Sequence, residues 1–184
     1  MAKLKLGLIV GSNRTESINR KLALAIAKLG GDSFEATLIR IDDLPMYNQD
    51  NEQPVPAAVS RFKSEVEASD ALLIVSPEHS RSIPAVLKNA IDWGSRPWGK
   101  NSWPNKPAAV TGTSPGVIST AVVQQHLRSI LGDLGAHLIG GEAYVQYKPD
   151  MVDAEHNVSD AGVRDFLKAF IDRLAVFSGK LVAA

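Results

Sequence analysis

The stretch from Leu4 to Asn19, LKLGLIVGSNRTESIN, constrains this chain more than any other. Its apolar run Leu6-Gly7-Leu8-Ile9-Val10 has no polar face, the pattern of a central parallel strand buried on both sides. It breaks at Gly11 into the polar loop Ser12-Asn13-Arg14-Thr15-Glu16-Ser17 and enters a helical pattern at Ile18. A loop joining a buried strand to a helix N-terminus presents unpaired N–H groups and the positive end of a helix dipole, which together attract anions. The hydroxyls of Ser12, Thr15 and Ser17, the Asn19 amide and the Arg14 guanidinium suit a phosphate better than a lone carboxylate. A purely structural account competes: Ser17 caps the helix, Gly11 turns the chain and Arg14 sits in solvent. The loop lacks a Lys followed by Ser or Thr, and it lacks G-x-G-x-x-G. ATP-type and dinucleotide phosphate motifs are therefore absent, and a mononucleotide phosphate is the expectation.

The rest of the chain repeats the alternation. Ile18, Leu22, Ala25, Ile26 and Leu29 recur at helical spacing before the stop Gly30-Gly31. Phe34 to Ile41 is a second strand, nearer an edge, and Leu44 to Pro56 is a proline-rich loop. A helix is expected over Val55 to Ala68, a wholly apolar strand over Asp70 to Val75, and a third helix over Ile83 to Ser95 with Pro84 in its first turn. Arg96 to Pro107 is an irregular loop holding Trp98 and Trp103, and Lys106 to Thr111 is a fourth strand. Val123, Leu127, Ile130, Leu131 and Leu134 mark a fourth helix, and Val163 to Phe177 a last one. Between these two helices, Ala136 to Ile139 and Ala143 to Gln146 make a fifth strand interrupted at Gly140-Gly141. Five strands alternating with five helices predict one α/β domain over residues 1–184: a doubly wound, five-stranded parallel sheet of flavodoxin-like order 2-1-3-4-5, helices on both faces. Its ligand site should lie at the carboxyl ends of strands one and three, where the winding reverses.

Composition narrows the partners. Twenty basic and twenty acidic residues leave no net charge, which gives no reason to expect nucleic acid or an anionic membrane as a partner. The absence of cysteine removes disulfides, thiolate metal sites and cysteine nucleophiles together. No signal-peptide pattern or membrane-length apolar run is present, and cytoplasmic is the expected location. The four histidines, His79, His126, His137 and His156, share no metal-ligand spacing, so no metal is expected.

Three polar strand ends should converge at the predicted edge: Gly11 to Ser17, Ser76 to Ser82, and Gly112 to Gly116. A phosphate site in the first, backbone groups stiffened by Pro77 in the second, and glycines allowing a flat ligand to approach in the third describe a flavin mononucleotide (FMN) pocket. Another nucleotide satisfies the same logic. The residues also carry a resemblance. Gly11-Ser12-x-Arg14-x-x-Ser17-x-Asn19, Pro77-Glu78, the run Ser82-Ile83-Pro84-x-x-Leu87-Lys88-Asn89-Ala90-Ile91-Asp92-Trp93, and Ser114-Pro115-Gly116 resemble the NAD(P)H-dependent FMN reductase family of quinone, chromate and azo-dye reductases. The resemblance implies that Ser12, Arg14, Ser17 and Asn19 hold the FMN phosphate. It implies that Pro77, Glu78, His79 and Ser80 line the isoalloxazine edge, with Ser82 in the same loop, and that Ser114 and Gly116 close the pyrimidine side. It further implies NADPH or NADH as co-substrate, a small-molecule electron acceptor, and a homodimer or homotetramer. The third helix and the tryptophan loop would form one contact, and Arg128 and Glu142 would pair across a second. The chain departs from the family in having His79-Ser80 where Tyr-Asn is usual, and Ala85 where Gly is usual.

Other chemistries fit less well. Gly112-x-Ser114-x-Gly116 matches a hydrolase nucleophile elbow, with His156 and Asp150 or Asp153 as conceivable partners. Pro115, however, has no N–H for the oxyanion hole that motif requires. A signalling receiver would need acidic residues where Gly11-Ser12 and Ser76-Pro77 stand. An electron-carrier flavodoxin or flavin-binding sensor is the non-enzymatic alternative, but carriers of that type are acidic whereas this chain is neutral. The expected chemistry is hydride transfer from NAD(P)H to FMN N5 and on to a quinone or similar oxidant by a ping-pong sequence, with no obligatory catalytic side chain.

Overall fold

Strand β3 (Ala71–Val75) shows why the sheet lies where it does: every one of its residues is buried. Such a strand needs cover on both faces, and the chain supplies it. The computed structural model describes residues 2–182, so the ends of the expected 1–184 span lie outside it. The elements follow in the order β1 (Leu4–Val10), α1 (Ile18–Leu29), β2 (Phe34–Ile39), α2 (Ala57–Ala68), β3, α3 (Ala85–Gly94), β4 (Pro107–Ser114), α4 (Ala121–Asp133), β5 (His137–Leu138), β6 (Tyr144–Gln146) and α5 (Ala161–Val182).

The strands are parallel and ordered β2-β1-β3-β4-β5, with β6 also on β4. The interrupted fifth strand is thus two short pieces on one neighbour. His137 and Leu138 face Pro107 and Ala108, whereas Tyr144 to Gln146 face Gly112 to Ser114. β4 consequently runs on to Ser114, three residues past the expected end, because β6 gives its tip a hydrogen-bonding partner.

Alternation along the strands divides the interior. Leu6, Leu8 and Val10 of β1 and Leu73 and Val75 of β3 pack with Leu22 and Ile26 of α1 and Phe170 and Leu174 of α5. Ile9, Leu72 and Ile74 face the other way, toward Phe62 of α2, Leu87 of α3 and Leu127 of α4. Two helices cover one face and three the other, the doubly wound arrangement that the sequence predicts.

The most family-specific run is largely scaffold. Asn89 accepts from Tyr47 N–H at 2.7 Å and donates to the Pro45 carbonyl at 3.0 Å; Trp93 Nε1 donates to that same carbonyl at 2.7 Å. Together they pin the proline-rich loop to α3. Pro84 precedes α3 as its cap residue instead of standing inside the first turn. Within the irregular loop, Trp103 belongs to the core: it is 1% exposed, packs edge-on against Phe62 and donates to Ile91 O at 3.1 Å. Trp98 alone of the three tryptophans faces solvent.

Candidate functional site

β1 pairs with β3 (Val10 beside Val75) and β3 with β4 (Val75 beside Thr111), so the loops leaving these strands emerge side by side. They enclose a cavity of about 160 Å³ lined by Ser12, Arg14, Ser17, Asn19, Pro77, His79 and Ser114, with Ile18, Thr113 and Pro115 completing it. Seven of the eleven residues expected at the site therefore meet here. A cavity this small suits a phosphate and the chain attached to it. A larger ring system would lie along the open rim.

The first turn has the makings of an anion cradle. Ser17 caps α1, its Oγ accepting from Arg20 N–H at 3.2 Å, while its carbonyl accepts from Lys21 N–H at 3.1 Å. The N–H groups of Ile18 and Asn19, in the first helical turn, have no intrahelical acceptor and point out of the helix end. The exposed Arg14 adds a full positive charge beside them. Both readings of Ser17 are compatible: a hydroxyl can accept a cap bond and still donate.

Asn19 does something the sequence did not announce. It is 2% exposed, its Nδ2 donates to Thr113 O at 3.0 Å and its Oδ1 accepts from Thr113 N–H at 2.9 Å. Its side chain is a two-point clamp between α1 and the tip of β4, so the expectation that it grips a phosphate passes to its backbone N–H. Thr113, which sequence reasoning missed, is the residue clamped; its hydroxyl also donates to Val145 O at 2.7 Å.

Glu78 likewise departs from a rim-lining role. Its side chain is 7% exposed and turned away from the cavity, and Oε2 accepts from the N–H groups of Val122 and Val123 at 3.0 and 3.1 Å. A carboxylate there satisfies two unpaired donors and the positive end of the α4 dipole. Oε1 lies 3.1 Å from Arg81 Nη1. Glu78 thus ties the second loop to α4. Beyond it, His79 and Ser82 exchange backbone hydrogen bonds at 3.1 and 2.9 Å around Ser80 (φ 49°) and Arg81 (φ 61°). Two consecutive positive φ angles are the pattern of a type I′ turn. Ser82 Oγ lies 3.0 Å from His126 Nδ1, which places both on the rim and outside the cavity.

In the third loop, Gly112 makes room for protein and not for a ligand. A Cβ there would come within 1.9 Å of Ser76 O. Gly116 is different, since the nearest atom to an added Cβ is Ser114 Oγ at 3.6 Å, leaving space at the rim. Ser114 Oγ donates to Ser119 O and accepts from Gly116 N–H, both at 3.2 Å. Among the described residues no histidine hydrogen-bonds to it, so it lacks the base a serine nucleophile needs. Within the chain, Arg128 donates to the carbonyls of Ile139 and Gly141. Glu142 accepts from Gln125.

These features define a doubly wound α/β protein whose candidate site is a small polar cavity at its switch point, beside a helix N-terminus and Arg14. The sequence profile of the NADPH-dependent FMN reductase family matches residues 4–150, and the chain belongs to that family. It is 41% identical over 175 residues to a 2-hydroxy-1,4-benzoquinone reductase from Burkholderia sp, covering 95% of this chain and 96% of the relative. A quinone reductase of Pseudomonas putida is 42% identical over 170 residues, 91% of each chain. Among solved structures, the FerB flavoenzyme NAD(P)H:(acceptor) oxidoreductase from Paracoccus denitrificans superimposes with a TM-score of 0.93 at 42% identity, over 96% of this chain and 98% of that one. The protein is an oxidoreductase that works with FMN and NAD(P)H. No helix among the described residues is long and apolar enough to cross a membrane.

Proposed function

We propose that the protein reduces quinones, with FMN held by its phosphate in the first turn and its ring along the rim formed by the other two. The observation that carries this reading is the convergence of Ser12, Arg14, Ser17, Pro77, His79 and Ser114 on one cavity at the N-terminus of α1. When bound, FMN would supply the redox chemistry, hydride acceptance from NAD(P)H and delivery of reducing equivalents to the acceptor. The chain's own work is binding and orientation. Arg14 and the N–H groups of Ile18 and Asn19 balance the phosphate charge. The Asn19 clamp holds β4 at a fixed distance from that anion, and the Glu78 anchor holds the second loop where its backbone groups can face the ring edge. Gly116 leaves the pyrimidine side open.

Quinone is favoured as acceptor by the names of the quinone reductases that the chain resembles and by the exposed apolar side chains of Val117 and Ile118, which follow Gly116 in the third loop. A single open rim would serve NAD(P)H and quinone in turn, giving ping-pong kinetics. The same exposed side chains, with Trp98, favour assembly as a homodimer or homotetramer of chains that each act as one domain. Reliance on NAD(P)H favours the cytoplasm as its location.

Initial rates with both NADPH and a benzoquinone varied test the reading. Parallel double-reciprocal lines are expected, whereas lines that intersect, or no turnover by FMN-loaded protein, would defeat it. Light scattering during size exclusion reports the assembly.

A further inference from the structure

A second cavity, of about 420 Å³, lies across the first turn from the flavin-phosphate cavity, at the carboxyl ends of β1 and β2. The two share only Ser12 and Arg14. Its floor is apolar, built from Val10, Leu38, Ile39 and Ile41, and its rim carries Arg14, Arg20, Arg40 and Asp42. Three guanidinium groups against one carboxylate leave an excess of two positive charges in a chain that is neutral as a whole. Arg40 is paired twice, its Nε 2.7 Å from Asp42 Oδ1 and its Nη1 3.8 Å from Oδ2 of Asp43 just outside the groove. The side chains of Arg14 and Arg20 have no hydrogen bond or ion pair among the described residues.

We propose that this groove takes the phosphorylated adenosine end of NADPH, with Arg20 and Arg40 facing the 2′-phosphate, and that it makes NADPH the preferred co-substrate. The proposal rests on the flavin reductase reading and adds a specificity site to it. The apolar floor suits a purine and ribose. The unpaired guanidinium suits a phosphomonoester carrying nearly two negative charges at neutral pH, which NADH lacks. The flavin phosphate does not compete for the groove, because Ser17, Ile18 and Asn19 line only the other cavity. The cavities touch at Ser12 and Arg14, so one extended ligand can cross the turn with its nicotinamide toward the flavin rim.

Calorimetric titration of FMN-loaded protein with 2′,5′-ADP, 5′-AMP and inorganic phosphate tests the assignment without relying on turnover. Wild type should bind 2′,5′-ADP roughly ten-fold more tightly than 5′-AMP, the equivalent of one charge-assisted hydrogen bond. Arg20→Gln should erase most of that ratio, and Arg40→Gln, which also leaves Asp42 unpaired, should erase it fully. The NADPH-over-NADH ratio of kcat/KM should fall in parallel. Equal affinity of wild type for 2′,5′-ADP and 5′-AMP would overturn the proposal, as would a preference that survives both substitutions. Inorganic phosphate binding as tightly as 2′,5′-ADP would make the groove a free-phosphate site and overturn it too. Loss of FMN from both variants would show the groove to be part of the flavin-phosphate site. A colourless wild type that takes up no FMN would defeat the flavin reading itself, and the proposal with it.

Discussion

The first and second turns of the site do comparable jobs by different means. Residues 11–19 contain no positive φ angle outside glycine, and the turn is positioned by what it joins: a buried strand, a capped helix and the Asn19 clamp onto β4. Residues 77–82 hold two left-handed non-glycine residues in succession and are anchored by one carboxylate to N–H groups of a helix 44 and 45 positions later. The end of the site proposed for the phosphate inherits its geometry from regular secondary structure, whereas the end proposed for the ring borrows it from α4. A group with a fixed charge needs the former. An edge that must admit both NAD(P)H and an acceptor can use the latter, because single substitutions re-aim it without unmaking the sheet.

The largest expected effect tests the rigid side. Asn19→Ala removes a donor and an acceptor together and leaves the buried N–H and C=O of Thr113 unpaired. Each unsatisfied group costs about 1–3 kcal/mol, so a loss of about 3 kcal/mol in urea denaturation is expected, with weaker FMN binding. A loss below about 1 kcal/mol would mean that water or a neighbour replaces the clamp and that the first turn is no better fixed than the second.

The borrowed anchor comes next. Glu78→Ala should cost about 2 kcal/mol by stripping two N–H groups at the α4 terminus of their acceptor, and Glu78→Gln about 1 kcal/mol, since an amide oxygen still accepts but carries no charge. The comparison predicts more than a stability loss. In Glu78→Ala the absorption bands of bound flavin should shift, because the ring environment moves, while the stoichiometry of FMN binding holds. If both variants unfold at the wild-type urea midpoint, Glu78 is no anchor and the contrast between the turns fails.

How much of this could be read beforehand depended on whether a residue's role was local. The buried strands, the doubly wound order and the anion-binding turn follow from patterns within a dozen residues, such as Leu6 to Val10 followed by Gly11 and Ser17. The same holds for the split fifth strand, signalled by Gly140-Gly141. What escaped notice acts across the sequence. Nothing near Asn19 reveals a partner 94 positions away, and nothing near Glu78 reveals α4. Gly112 looked like a concession to a ligand because its neighbour across the sheet, Ser76, was invisible in one dimension. Arg20 and Arg40, 20 positions apart in the sequence, share a groove only because β1 and β2 lie side by side. The Ser82-to-Trp93 run marks the family yet is chiefly a brace, since Asn89 and Trp93 face the 44–47 loop and not the site.

The smallest effect probes the strain at the second turn. L-residues other than Asn and Asp pay roughly 1 kcal/mol to sit in the left-handed region. Arg81→Gly would relieve that cost but would also delete the contact with Glu78 and loosen the unfolded chain. Ser80→Asn is cleaner. It keeps a short polar side chain at an exposed position with φ 49°, and Asn tolerates that conformation by hydrogen bonding locally. A gain of about 0.5 kcal/mol is expected, or a rise of about 1–2 °C in Tm for a chain of this size. The substitution also restores at position 80 the residue usual in the family, so a stabilised variant with altered quinone KM would link turn geometry to acceptor choice. A destabilised variant would mean that Ser80 makes a compensating contact in the folded chain, and the second turn would then be as well fitted to its place as the first.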